Sequence, residues 1–159
     1  MKFLILLYII FSTQTCAKDL LLESCIKRNG SVVRGHLCPK SKIPIPARAC
    51  FYKNSHNETQ FYNGCSGPTG GYKEMFYSSC IQHDLCYHNE PASNGFSQKT
   101  CDMKFFNGME KACDLKAENK VHCLKWARNL YRALRIIGKP AYHCANNLSD
   151  YLTTSEERE

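Results

Sequence analysis

The sequence predicts a mainly α-helical, disulfide-rich fold, on three observations: a cleavable leader, an even set of cysteines after it, and three segments with apolar residues at helical spacing. A chain of 159 residues suits one domain. With 43% hydrophobic and 22% charged residues it has the means to build a core, which excludes wholesale disorder.

The leader is read first. Met1-Lys2 is a short basic start, Phe3 to Phe11 is unbroken apolar chain, and Thr15-Cys16-Ala17 presents small residues for cleavage after Ala17. That apolar run is too short to cross roughly 30 Å of hydrocarbon as a helix. Residues 1–17 are therefore a signal peptide and the protein is secreted. Cleavage removes Cys16 and Lys2, leaving ten of the eleven cysteines and one positive charge fewer than the full chain's +7. Ten cysteines in an oxidising compartment predict five disulfides. Asn29-Gly-Ser31, Asn57-Glu-Thr59 and Asn147-Leu-Ser149 are glycosylation sequons, in keeping with export.

Four stretches follow the leader. Residues 18–60 carry Cys25, Cys38, Cys50 and the prolines 39, 44 and 46, and read as extended or looping chain, either a propeptide or part of the fold. No strand run is evident. Residues 61–144 hold the functional domain, and 145–159 are a polar tail. Within the domain, Tyr62 to Gly71 is a glycine-rich loop that must turn sharply and expose its main-chain groups. Tyr72 to Asn89 predicts a helix with Tyr72, Met75 or Phe76, Cys80, His83 and Tyr87 on one side. Pro91 and Gly95 break it. Ser97 to about Cys113 predicts a second helix with Cys101, Phe105, Met109 and Cys113 at strict i+4 spacing. Glu118 to Ile137 predicts a third, with Val121, Leu124, Leu130, Leu134 and Ile137 apolar and Gly138 and Pro140 as stops. A Cys113–Cys123 bridge would close the turn between the last two.

The chemistry gathers at Cys80-Ile-Gln-His83-Asp84-Leu-Cys86-Tyr87. On a helix Cys80, His83 and Cys86 or Tyr87 share one arc, with Asp84 about 100° further round. Cys101-Asp102 repeats the device of a cysteine beside a carboxylate. If Cys86 bonds Cys101, Cα atoms about 5.5–6 Å apart would set His83 against Asp102. If Cys65 bonds Cys80, the glycine loop lies on the first helix. An imidazole oriented by one carboxylate, with Asp84 free to bind calcium alongside loop carbonyls, would make a general base for ester hydrolysis without a nucleophilic serine.

Cys80-x-x-His83-Asp84-x-Cys86-Tyr87 followed by Cys101-Asp102 resembles the secreted phospholipases A2. The wider context, Asn63-Gly64-Cys65-Ser66 through Cys101-Asp-x-x-Phe105, more closely resembles their invertebrate venom (conodipine-like) and microbial branches, over roughly residues 60–115. The resemblance implies two antiparallel disulfide-linked helices and a calcium-dependent enzyme that cleaves the sn-2 ester of glycerophospholipids. By matching position, it implies His83 as catalytic base, Asp102 as its partner, Asp84 as the calcium carboxylate, and bridges Cys65–Cys80 and Cys86–Cys101. Ser79 stands where the vertebrate branch has a cysteine, and Asn63 where the microbial branch has an aspartate ligand. The calcium set is then Asn63, Gly64 and Asp84, or, in the vertebrate register of the loop, the carbonyls of Gly64, Ser66 and Pro68 with Asp84. The Gly64 N–H would join calcium in stabilising the oxyanion.

The implied partner is an anionic phospholipid membrane or micelle surface, met by a monomer; the basic stripe Lys125, Arg128, Arg132 and Arg135 faces either a membrane or acidic partner, or solvent alone. One lipid would enter a slot lined by Phe76, Phe105 and Met109. The competing reading is a phospholipase-like toxin or ligand that binds a protein receptor without catalysis. No base-reading motif points to nucleic acid. His36, His56, His88, His122 and His143 sit in no comparable frame.

Overall fold

The computed structural model describes residues 18–37, 45–88, 95–145 and 152–154. The leader, Cys38 and the Asn147 sequon lie outside the described residues. The elements in chain order are α1 (Leu20–Ile26), β1 (Ser31–Leu37), β2 (Ile45–Lys53), β3 (Thr59–Tyr62), α2 (Lys73–His88), α3 (Gln98–Lys116), α4 (Lys120–Ile137), α5 (Lys139–Ala145) and β4 (Leu152–Thr154). The fold is helix-rich, as the spacing predicts, and it also holds a four-stranded antiparallel sheet in the order β3-β2-β1-β4.

That sheet corrects the reading that no strand run is evident: residues 18–60, read as extended or looping chain, supply β1, β2 and the start of β3, and the polar tail supplies β4, which pairs with β1 across Gly35–Leu37. The strands escape sequence reading because they lack a clean two-residue period. In β2, Ala49 and Cys50 are consecutive and both fully buried, one facing each covered side of a central strand. Cross-strand pairs supply the stability that patterning hides. Phe51 stacks on its partner Phe61 with centroids 5.1 Å apart, and the Tyr52 hydroxyl donates to Gln60, its own partner, at 3.0 Å. The Cys25–Cys50 bridge ties α1 to β2.

Helix α2 is the central element. On one side Tyr77 and Ile81 share a core cluster with Leu21, Cys25, Cys50 and Tyr62, so residues 18–62 pack directly against it. On the other, α3 runs antiparallel to α2: Cys86 bonds Cys101, His83 meets Asp102, and Gly108 sits under Ser79. Gly108 has no room for a β-carbon, which is why the helices approach so closely there. The i+4 stripe Cys101, Phe105, Met109 and Cys113 is buried to 5% exposure or less, as the spacing predicts. Ser97 caps α3 by accepting the Thr100 N–H, and Asn119 caps α4 by accepting that of His122.

The Cys113–Cys123 bridge closes the α3–α4 turn as expected. The inward face of α4, however, is rotated from the predicted one. Cys123 and Ala127 are fully buried, with Leu124, Leu130 and Leu134 partly so, while Val121 and Ile137 are 80% and 72% exposed. Small residues let α4 lie close to α3, and a pattern weighted toward large apolar side chains misses them. Gly138 ends α4 as predicted, but Pro140 does not stop the chain's helicity: it lies in the first turn of α5, where a missing N–H costs nothing. Among the described residues no helix is long and apolar enough to cross a membrane. Four disulfides among those residues, with Cys144 also disulfide-bonded, are compatible with an extracellular protein.

The glycine loop rests on α4 through Gly70, whose φ of +61° is left-handed and whose missing β-carbon makes room for the Trp126 indole. Gly70→Ala combines a disfavoured backbone with a steric clash and should cost at least about 1 kcal/mol. Trp126 is the sole tryptophan. Thermal unfolding followed by its fluorescence should therefore show a midpoint several degrees lower; an unchanged midpoint would contradict this packing.

Candidate active site

Two bridges bracket the centre of α2. Cys65–Cys80, with Cα atoms 5.2 Å apart, fastens the glycine loop to the helix, and Cys86–Cys101, at 5.6 Å, fastens the helix end to the start of α3. His83 lies between them and is 8% exposed. Its Nε2 is 2.9 Å from Asp102 Oδ1. Phe105 and Tyr87 flank the imidazole, with ring centroids 4.9 and 4.1 Å away, and fix its plane.

Asp102 has no exposed surface, and burial alone would raise its pKa. Donors outweigh burial. His83, Arg135 and Tyr87 all reach the carboxylate and together hold it below the ordinary carboxylate value, so it stays ionised. The Tyr87 hydroxyl donates to Oδ1 at 2.7 Å, and Arg135 Nη1 donates to Oδ2 at 2.7 Å. An ionised carboxylate only accepts hydrogen bonds, so the proton between it and the ring belongs to Nε2. That leaves Nδ1 with its lone pair, and Nδ1 has no hydrogen-bond partner among the described residues.

Asp84 behaves differently. It is 9% exposed, and its Oδ2 accepts the Gly64 N–H at 2.6 Å and the Asn63 N–H at 2.9 Å. Desolvation dominates these two bonds and pushes its pKa up to about 8. Gly64 adopts φ +78° with the Tyr77 ring directly beneath it, so only glycine fits there. The sequence therefore locates Asn63 and Gly64 beside Asp84, but their contact is through donating amides. The expectation that the Gly64 N–H serves an oxyanion needs correction, since this N–H is committed to Asp84. Asp84 Oδ1 has no hydrogen bond among the described residues, so on loss of its proton the group could offer that oxygen to a cation. Among those residues no three His, Cys, Asp or Glu side chains converge on a metal position. A centre made of one carboxylate with main-chain or amide oxygens is of another kind.

His83, Asp84 and Gly64 open onto a cavity of about 210 Å3, whose apolar wall is Phe105, Leu130, Ala133, Leu134 and Ile137. Phe105 is where the sequence reading puts it, whereas Phe76 and Met109 are fully buried in the core and do not line the cavity. Helix α4 takes their place. A broader groove of about 1170 Å3 between α1, the β1–β2 face and the loop holds neither His83 nor Asp102. Of the remaining histidines, His88 is buried and stacked on Phe61, His122 bonds the Tyr72 hydroxyl, and His56 lies in the exposed β2–β3 turn.

The residue that sequence reasoning missed is Arg135, assigned to a membrane-facing stripe. All four residues of that stripe are exposed, but the tip of Arg135 also reaches the buried Asp102. Tyr87 was detectable from its position one helical turn after His83; for Arg135 nothing in the sequence gives the signal. No family model, curated protein or solved structure matches this chain. The arrangement itself is an imidazole oriented by one carboxylate, beside a second carboxylate with one unbonded oxygen, at the mouth of an apolar cavity, a geometry that could serve proton transfer.

Asp84 has a consequence for stability. Its folded pKa of about 8 lies above its unfolded value near 3.8, so the folded state binds the extra proton and loses stability as pH rises through that interval. His88, which burial holds neutral far below its ordinary 6.5, opposes this trend only at lower pH. Between about pH 7 and 8, in the absence of divalent ions, Asp84 should therefore lower stability by about 1 kcal/mol, and Asp84→Asn should abolish the decline. Urea denaturation across that range measures it. A variant declining as steeply as the wild type would refute the assignment.

Proposed function

We propose that this chain is a secreted, calcium-dependent phospholipase A2 that hydrolyses the sn-2 acyl ester of glycerophospholipids at an anionic lipid–water interface. The observation that carries the reading is that His83, held by Asp102 at 2.9 Å, lines one largely apolar cavity together with the neighbouring Asp84. The disulfide-stapled helices and the Cys80-x-x-His83-Asp84 motif support membership of the phospholipase A2 family, on the resemblance described above.

His83 takes a proton from water at Nδ1, and the oxygen so activated attacks the ester carbonyl carbon. Asp102 holds the tautomer and stabilises the imidazolium that forms. As the tetrahedral intermediate collapses, His83 returns the proton to the leaving glycerol oxygen, giving a fatty acid and a lysophospholipid. Phe105, Leu130 and Leu134 exclude water from the acyl side of the slot. The donor set suits calcium: Asp84 is a buried carboxylate whose charge no cation of the described residues offsets, and Oδ1 is open. Asp84 would hold the ion through Oδ1, with the Asn63 side-chain oxygen and loop carbonyls as further ligands. When bound there, calcium polarises the ester carbonyl.

The second reading, a non-catalytic scaffold that binds a protein receptor, draws on the Asn63 and Gly64 amides that already occupy Asp84 Oδ2. One assay separates the two. Wild type should release fatty acid from phospholipid micelles in calcium and not in chelator. His83→Gln should reduce turnover by at least about a thousandfold with the fold intact, and Asp84→Lys should abolish both activity and calcium dependence. Wild-type turnover by His83→Gln, or none by wild type in calcium, would sink the hydrolase reading.

A further inference from the structure

We infer that Arg135 is a positioning residue for this site: by occupying Asp102 Oδ2 it keeps Oδ1 aimed at His83 Nε2 and so fixes the orientation of the imidazole that lines the cavity. Three donors reach Asp102, and they divide its two oxygens unequally. His83 and Tyr87 share Oδ1, and Arg135 alone holds Oδ2 among the described residues. A carboxylate bonded on one oxygen only can swing about its Cβ–Cγ axis. Held at both, it cannot, and the direction of its lone pair toward Nε2 becomes a property of the fold.

Arg135 is itself placed with the help of a neighbouring bond. Gln98 Nε2 donates to the Leu134 carbonyl at 3.1 Å, and Gln98 and Asp102 are one turn apart on α3, just as Leu134 and Arg135 adjoin on α4. The last turn of α4 is thus clamped to the first turn of α3 at two points. The Arg135 side chain is 33% exposed, so its outer edge stays hydrated while Nη1 faces the fully buried carboxylate. Leu130, Ala133, Leu134 and Ile137, on the cavity side of the same helix, form the apolar wall. Helix α4 therefore does two separable jobs: it shapes the slot with one set of residues and orients the base with another.

The inference deepens the hydrolase reading, and its kinetic arm rests on that reading; its spectroscopic arm does not. In the kinetic arm, wild type, Arg135→Met, Arg135→Lys, Asp102→Asn and the Asp102→Asn/Arg135→Met double variant hydrolyse phospholipid mixed micelles in saturating calcium. Arg135→Met should lower kcat roughly ten- to a hundredfold with KM within about twofold, and Arg135→Lys should recover most of the loss. In the Asp102→Asn background the Arg135 change should add less than about twofold, because its effect passes through Asp102. A loss in KM alone, or the same loss in both backgrounds, would overturn the proposal. In the spectroscopic arm, proton–nitrogen NMR of histidine-labelled protein should show a hydrogen-bonded His83 Nε2–H that persists in Arg135→Lys and is lost or exchange-broadened in Arg135→Met. An unchanged signal in Arg135→Met overturns the proposal whatever the kinetics. Absence of hydrolysis by every protein, wild type included, would defeat the hydrolase reading, while the imidazole signal would still decide the role of Arg135.

Discussion

An ionised carboxylate with no exposed surface is among the costliest groups a small fold can contain, and Asp102 is one. Its burial is tolerable because the two helices packed against α3 send it three donors: His83 and Tyr87 come from α2 and Arg135 from α4. Packing of these helices and satisfaction of the charge are therefore one problem. Displacing any of the three leaves a buried anion short of a partner. The two bridges at Cys86–Cys101 and Cys113–Cys123 fix the relative positions of the helices, and the donors fix the relative positions of their side chains.

The neighbouring acid shows the opposite solution. Asp84 lies one residue from His83 and is nearly as buried as Asp102, yet only two main-chain N–H groups reach it. Charge balance accounts for the divergence: a guanidinium offsets Asp102, and no cationic side chain of the described residues offsets Asp84. Two carboxylates within a few residues' reach of one imidazole are thus held in different protonation regimes by their surroundings. One is a permanent anion suited to orientation; the other is poised to exchange a proton for a metal ion.

Much of the site was legible because covalent and helical periodicities coincide with it. Cys80, His83 and Tyr87 at helical spacing, and Cys101 beside Asp102, leave few ways to arrange the four-residue neighbourhood once a bridge joins the helices. The sheet was not legible, because β2 is covered on both faces and buries consecutive residues, which erases the alternation that marks a half-exposed strand. The face of α4 was misjudged for a related reason: its fully buried contacts are made by Cys123 and Ala127, while the large apolar residues at its ends, Val121 and Ile137, stay mostly exposed. Arg135 illustrates a deeper limit. Its spacing fits a basic stripe as well as an inward ion pair, and only the tertiary crossing of α4 over the start of α3 separates the two.

The four described bridges join residues 25 to 50, 65 to 80, 86 to 101 and 113 to 123, at separations of 25, 15, 15 and 10. None of these loops encloses or crosses another. Each pair is complete before the next begins along the sequence, and each closes a short span at small entropic expense. These four staples thus lie in series along the polypeptide, so that opening one frees its own stretch of chain without releasing the loop of any other.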